Sequence, residues 1–289
     1  MADKKIDLSL IIACYNEGPS LPESVRQVIE TLDNTPWSYE LIFVDDCSQD
    51  GTRQLIDEML MKYADRNVTK LFHAYNTGRG RTVSDGFRLA RGSVVGYIDI
   101  DLEVPAHYIP IQVRAIKNGA DVATAHRIYK VQPRLWLRSF LSRGYVWLMQ
   151  QMLDVPLQDT EAGYKFFSYA SLMHILNQVV DEHWFWDTEI MVRSYLAGYT
   201  IKEIPCLFIK RYDKQSTVHV LRDTVDYFVK LWHFRRVVKQ LRSTKVVTGL
   251  SSAMAELKSF HSPYRSRLLN WFQRLAILYV IKCFFITEE

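Results

Sequence analysis

The chain has 289 residues, 48% of them hydrophobic and 24% charged, the balance of a folded globular protein with room for one large domain or one and a half. A net charge of +4 excludes a nucleic-acid-binding tail, so no nucleic acid is expected as a partner. The four cysteines (Cys14, Cys47, Cys206, Cys283) lie far apart with no zinc or disulfide spacing, and "MADKKIDLSL" is too polar for a secretory signal, which makes a reduced, cytoplasmic compartment the default.

Short apolar runs alternate with helical patterns through the first half. Residues 7–14, 39–45, 68–74, 93–99 and 120–126 read as strands, several of them apolar at consecutive positions, as in strands buried on both faces. Helices fall near 20–33, 51–65, 80–91 and 106–118, with Asp50 or Ser48 as cap of the second. Such alternation predicts a parallel sheet covered by helices. Residues 134–153 form a long helical pattern rich in Trp, Leu and Arg. "DTEAGYKFF" (159–167) follows, then helices near 169–180 and 187–197 and a strand at 200–209. From 218 the pattern is helical to the end, with Leu221, Val225, Phe228, Trp232, Val238 and Leu241 on one stripe. Residues 210–245 hold ten Lys/Arg against three Asp. Basic residues interleaved with Phe228, Trp232 and Phe234 suit an interfacial helix on anionic lipid. The last apolar run, 275–286, has 12 residues with Lys282 inside it, too short to span a bilayer.

Ligands of parallel sheets sit beyond the carboxyl ends of the strands. Three polar clusters occupy those ends: "CYNEG" after the first strand, "DDCSQDG" after the second and "DIDLE" after the fourth. Strand periodicity turns Asp99 and Asp101 to one side, and Glu103 reaches the same point as the strand gives way to a loop. Clustered carboxylates suit a hard divalent cation, Mg2+ or Mn2+, shared with a diphosphate; the plain alternative is a solvated acidic loop. Tyr15 and Glu17 lie where a base and ribose can dock, and Asp45 and Asp46 can accept hydrogen bonds from a ring N–H or ribose hydroxyls. The absence of GxGxxG after the first strand argues against a dinucleotide site.

"IIACYNEG", "VDDCSQDGT", "NTGRG", "ARGSVVGYIDIDLEVP" and "DTEAGYKFF", in this order, resemble the family 2 glycosyltransferases of the GT-A fold. The nearest resemblance is to the polyprenyl-phosphate group, the dolichyl-phosphate mannosyl- and glucosyltransferases and their bacterial relatives, over about residues 8–217. It implies an α/β, Rossmann-like sheet of mainly parallel strands flanked by helices, with C-terminal amphipathic interfacial helices. The expected division is a catalytic domain over 1–217 and membrane-associating helices over 218–289. The implied reaction is inverting, metal-dependent transfer of a hexose from a nucleotide sugar to a polyprenyl phosphate, at the cytoplasmic face of a membrane. Ala13, Tyr15, Glu17, Asp45, Asp46, Arg79, Asp99 and Arg211 would hold the donor; Asp99, Asp101 and Glu103 the metal or its waters; Arg138 and Ser142 the lipid phosphate. By the same resemblance Asp101, Asp159 and Arg127 would carry the chemistry: Asp101 would hold the metal that stabilises the leaving diphosphate, Arg127 would pair with phosphate, and Asp159 would orient an arginine or a sugar hydroxyl rather than act as base. "DTEAGYKFF" is closer to the glucosyltransferase pattern, and Thr217 stands where mannosyltransferases carry Lys, with Lys214 nearby. "HWFWD" (183–187) reads as packing, with Asp187 or Glu189 near the site as a lesser reading. The rival functions are a family 2 transferase with a soluble saccharide or protein acceptor and a nucleotide-sugar-binding protein without turnover. No feature specifies an oligomer.

Overall fold

The computed structural model describes residues 5–129, 149–210 and 226–244. The chain divides into two compact units, Met1–Leu231 and Trp232–Glu289. The first unit holds a seven-stranded sheet: β1 (Leu8–Cys14), β2 (Tyr39–Asp45), β3 (Asn67–Phe72), β4 (Val94–Asp99), β5 (Val122–Tyr129), β6 (Tyr164–Ser168) and β7 (Ile201–Phe208), in the order β3-β2-β1-β4-β6-β5-β7. Every pairing is parallel except the two made by β6, which runs antiparallel between β4 and β5. Helices α1 (Leu21–Asp33), α2 (Thr52–Lys62), α3 (Arg79–Leu89), α4 (Ile109–Lys117), α5 (Tyr169–Leu176) and α6 (Trp186–Ala197) flank it. This is the architecture expected from the alternation of apolar runs and helical patterns.

Burial explains why the central strands read as continuous apolar runs. Leu8, Leu10, Ile11 and Ile12 of β1 are all solvent-inaccessible, because β1 lies between β2 and β4 with helices on both faces. Helix α1 buries Leu21, Val25, Val28, Ile29 and Leu32, one stripe at helical spacing. Strand β6 is the element that periodicity did not mark, since Lys165 interrupts its apolar residues.

The β1 register fixes the site. Cys14 pairs with Asp45 of β2 on one side, and Ala13 with Asp99 of β4 on the other. Strand order reverses here, since β2 and β3 extend one way from β1 and β4 the other, which opens a crevice at the strand ends.

Residues 226–244 are helical. The single stripe expected along this segment divides. Leu231, Phe234 and Val238 are buried, whereas Phe228, Val229 and Trp232 are 40%, 49% and 55% exposed. Val238 therefore sits on a different face from Phe228 and Trp232, because spacing 231–234–238 selects its own helical side. Leu221, Val225, the 217/218 boundary and the 275–286 run lie outside the described residues. Among the described residues, no helix is long and apolar enough to cross a membrane.

Candidate active site

The loops after β1 and β2 are stitched together by short polar side chains. The Asn16 N–H donates to Ser48 Oγ (2.9 Å), Gln49 N–H to Asn16 Oδ1 (2.8 Å) and Glu17 N–H to Thr52 Oγ1 (2.9 Å). Asn16 and Cys47 have positive φ (55° and 64°), the sharp bends that bring these loops face to face. Ser48 is thus used between loops. Asp50 accepts the Thr52 N–H at the start of α2 (3.1 Å), while Gly51 occupies the capping position itself. Tyr15 is exposed above this platform, and Glu17 beside it is partly exposed.

Asp45 and Asp46, adjacent in sequence, have different surroundings. Asp45 is fully buried. Its Oδ2 accepts from Arg53 Nε (2.6 Å) and the Ser48 N–H (3.1 Å), and its Oδ1 accepts nothing. Such an acceptor is unsatisfied until a donor N–H or O–H reaches it. Asp46 has both oxygens occupied by the 73–78 loop: Thr77 N–H (2.7 Å), Thr77 Oγ1 (2.9 Å) and His73 Nδ1 (3.0 Å) on Oδ1, and Gly78 N–H (2.9 Å) on Oδ2. Burial would raise its carboxyl, but the bonds from His73, Thr77 and Gly78 outweigh it and hold the group below the usual range. Asp46 therefore anchors the loop that leads into α3 and Arg79.

At the end of β4 the chain turns sooner than strand periodicity implies. The strand stops at Asp99, Leu102 N–H bonds back to Asp99 O (3.2 Å), and Leu102 has φ 54°. Asp99, Asp101 and Glu103 therefore do not alternate along one strand face. Asp101 accepts the Glu103 N–H (3.2 Å), and Ile209 N–H bonds to Glu103 O (2.7 Å), which ties the turn to the end of β7. Among the described residues no three His, Cys, Asp or Glu side chains converge as a metal cage. The turn still fits Mg2+ or Mn2+, which takes one or two carboxylates and keeps positions for water and phosphate oxygens, and its donors are hard oxygens throughout.

Asp99 faces a buried charge cluster. Its Oδ1 accepts from Arg79 Nη2 at 2.5 Å. Arg79 Nη1 binds Asp187 Oδ2, and Asp187 Oδ1 accepts from Lys165 Nζ (2.7 Å) and the Tyr97 hydroxyl. Lys165 Nζ also donates to the Ala162 carbonyl. The guanidinium lies over the Tyr97 ring (5.3 Å to its centroid) and the Trp184 ring (5.5 Å). Burial would raise the Asp187 carboxyl, but Arg79 and Lys165 hold it below the usual range. Burial likewise works against the Arg79 cation, which Asp187 and Asp99 nevertheless stabilise, and it draws Lys165 below the usual lysine range. Gly163 leaves the space: a Cβ there would stand 1.8 Å from Asp99 Oδ2 and 2.4 Å from Arg79 Nη2. Arg79, expected to meet the donor directly, is instead held between two carboxylates.

A second pair stands at the end of β5. Arg127 grips Asp159 bidentately, Nε to Oδ2 at 2.8 Å and Nη2 to Oδ1 at 2.9 Å, and adds its own backbone N–H at 3.1 Å. Glu203 of β7 accepts the N–H groups of Gln158 (2.8 Å) and Asp159 (2.9 Å). Burial disfavours the Arg127 cation, but Asp159 beside it raises its pKa well above the usual value. Asp159 is thus an arginine-holding carboxylate. Arg138, Ser142 and Arg211 lie outside the described residues.

Sequence reasoning passed over Lys165 and Gly163 and ranked Asp187 low. A lysine between Tyr164 and Phe166 in an apolar run was the available signal, because a buried ammonium requires a carboxylate partner.

A model of glycosyl transferase family 2 matches residues 9–176. Glycosyltransferase AglD of Haloferax volcanii is 29% identical over 255 residues, 85% of this chain and 40% of that protein. Dolichyl-phosphate beta-glucosyltransferase of Dictyostelium discoideum is 27% identical over 213 residues, 69% of this chain and 65% of that protein. The chain therefore spans 40% and 65% of the lengths of these relatives. Mannosyltransferase PcManGT from Pyrobaculum calidifontis, solved in complex with GDP-Man and Mn2+, shares the fold with a TM-score of 0.54 at 15% identity, covering 98% of this chain and 88% of that one.

Proposed function

The chain belongs to glycosyl transferase family 2, and from that premise we propose that it transfers a hexose, with inversion, from a nucleoside-diphosphate sugar to the phosphate of a polyprenyl lipid. The observation that carries the reading is the crevice at the β1/β4 reversal, with Tyr15, Glu17 and Asp45 on one side and Asp99 and Asp101 on the other. The polyprenyl acceptor is supported by the likeness to the dolichyl-phosphate relative, which extends over 69% of this chain.

In this reading Tyr15, Glu17 and Asp45 receive the nucleoside, with Ala13 forming the floor beside Asp99. Asp101 and Glu103 would hold Mg2+ or Mn2+, which when bound would supply positive charge beside the diphosphate. The lipid phosphate, largely dianionic near neutral pH, is itself the nucleophile, so the protein supplies alignment and charge rather than a strong base. Arg127, kept in place by Asp159, offers phosphate the guanidinium edge that the carboxylate leaves unengaged. Arg138, Ser142 and Arg211 are assigned to phosphates by resemblance alone. A lipid acceptor supports peripheral or monotopic association with a membrane, and the cytoplasmic face is part of the proposal. The exposed Phe228, Val229 and Trp232 beside Arg235, Arg236 and Lys239 suit an interfacial helix on anionic lipid.

The test is a donor screen. Purified protein, polyprenyl phosphate, Mg2+ or Mn2+ and a panel of nucleotide sugars should yield a glycosylated lipid phosphate with one or a few donors, and Asp101→Asn should abolish transfer and weaken donor binding. Transfer to soluble acceptors alone, or full activity in EDTA, would overturn the reading.

A further inference from the structure

We infer that Lys165 is a positioning residue for Asp99, acting through Asp187 and Arg79. The inference rests on the reading of Asp99 as part of the donor site. Lys165 lies in β6, completely buried, and reaches no part of the crevice itself. Its ammonium meets Asp187 Oδ1, Asp187 Oδ2 meets Arg79 Nη1, and Arg79 Nη2 meets Asp99 Oδ1. The chain of contacts is therefore oxygen by oxygen and nitrogen by nitrogen, with one link to each.

Charge balance makes the link directional. With Lys165 present, two cations face two carboxylates. Without it, Arg79 alone must serve both Asp187 and Asp99. Those two acids are not equal competitors: the Asp187 side chain is 3% exposed and the Asp99 side chain 47%. Water can solvate Asp99 but not Asp187, and attraction is stronger where the surroundings are less polar. Arg79 then moves wholly onto Asp187 and releases Asp99, whose rotamer loses its fixed partner. Gly163 shows how narrow the arrangement is, since any Cβ there overlaps the Asp99–Arg79 contact. A lysine serving the fold alone would need Asp187 as a partner, but it would not need Asp187 to share Arg79 with a half-exposed carboxylate at the crevice.

The experiment compares wild type, Lys165→Met and the double variant Lys165→Met/Asp187→Asn. The double variant removes one charge of each sign, and its amide oxygen still accepts from Arg79. Calorimetric titration with UDP–Mn2+ and GDP–Mn2+, melting temperatures and crystal structures are measured for each. Lys165→Met should lose Arg79–Asp99 contact and bind nucleotide about tenfold or more weakly, the loss expected of one charge-assisted bond. The double variant should regain the contact and bind within about threefold of wild type, because electroneutrality is restored. A folded Lys165→Met with a lower melting temperature, unchanged nucleotide affinity and an intact Arg79–Asp99 contact would overturn the inference and leave Lys165 a purely structural residue. Should Lys165→Met not fold, the double variant decides: near-native affinity and contact support the inference, and a tenfold loss overturns it. If wild type binds neither nucleotide, the donor-site reading falls, and the Arg79–Asp99 contact in the variant crystals still decides the role of Lys165.

Discussion

Among the arginine–aspartate pairs at strand ends of this sheet, those of Arg127 and Arg79 are built on different plans. Arg127 and Asp159 are joined by two parallel side-chain bonds and a backbone N–H, with the Glu161 carboxylate as a second, more distant acid 4.0 Å from Nη2. Arg79 is divided between Asp99 and Asp187, with a single bond to each, and its surroundings are neutral only when Lys165 is counted. The first geometry is set by hydrogen-bond direction, since the planar fork of the guanidinium matches the carboxylate. The second is set by charge balance in a dry environment. A substitution in the first should therefore act locally, and one in the second should spread.

The largest effect is expected at the shared centre. Asp187→Ala leaves Lys165 and Arg79 as two buried cations with only Asp99 to face, and breaking a buried pair in this way costs about 3–5 kcal/mol. Urea unfolding reads this directly. Arg127→Met should cost less, about 1.5–3 kcal/mol for the lost charge-assisted bonds, because the Arg127 and Asp159 side chains keep 20% and 10% exposure against 3% at Asp187, and Glu203 still holds the Asp159 backbone. Adding Asp159→Asn to Arg127→Met should cost little more, since the pair is lost only once. An Arg127→Met penalty larger than that of Asp187→Ala would reverse the comparison.

A smaller effect is expected from Asp46, a third kind of carboxylate that is satisfied almost wholly by neutral donors. Its folded pKa lies below the ordinary 3.8, so its contribution is complete above that value and is lost as pH falls through the lower folded pKa. Asp187 shifts in the same direction and adds to the same acid limb. Lys165 acts at the other end: its folded pKa is below 10.5, so its burial penalty is present at neutral pH and is relieved as pH rises towards that value. Asp46→Asn places an amide N–H2 against the Gly78 N–H or the Thr77 N–H, for a loss of about 1–2 kcal/mol at neutral pH. Melting temperature followed downward from pH 7 should fall less steeply in the variant. An identical acid limb would show that Asp46 does not contribute to it.

What the sequence revealed follows the same division between local and long-range causes. Strands β1, β2, β4 and β5 announce themselves through their apolar residues, and the acidic clusters at the ends of β1, β2 and β4 mark the crevice from the sequence alone. The turn at Leu102 did not announce itself, because a positive φ at leucine has no composition signal, and the alternation of Asp99, Asp101 and Glu103 mimics a strand. Strand β6 was hidden by Lys165, and Asp187 by the aromatic residues of "HWFWD", of which Phe185 and Trp186 are buried, Trp186 against Tyr97 at 5.7 Å and donating to Ser84, while Trp184 is 47% exposed. Lys165 and Asp187 are 22 positions apart, and Arg79 and Asp187 are 108 apart. Such pairs are set by the fold of the whole sheet, so no local pattern predicts them.

The smallest expected effect tests whether the Arg127–Asp159 unit is self-contained. Glu203 makes no hydrogen bond to either side chain of the pair. It accepts two backbone N–H groups, of Gln158 and Asp159, through one oxygen. Glu203→Gln keeps an acceptor oxygen at that point and removes only the charge, so unfolding free energy should change by about 1 kcal/mol or less. Glu203→Ala removes the acceptor and should cost about 1–2 kcal/mol, near the sum of two ordinary hydrogen bonds. In both variants Arg127 and Asp159 should keep their bidentate contact, since the Arg127 N–H and guanidinium fix Asp159 without help from Glu203. A crystal structure of Glu203→Ala checks that contact alongside the denaturation curve. If the contact opens, or if the penalty approaches that of Asp187→Ala, the pair depends on β7 as Arg79 depends on Lys165, and both strand-end arginines are then set by their second neighbours.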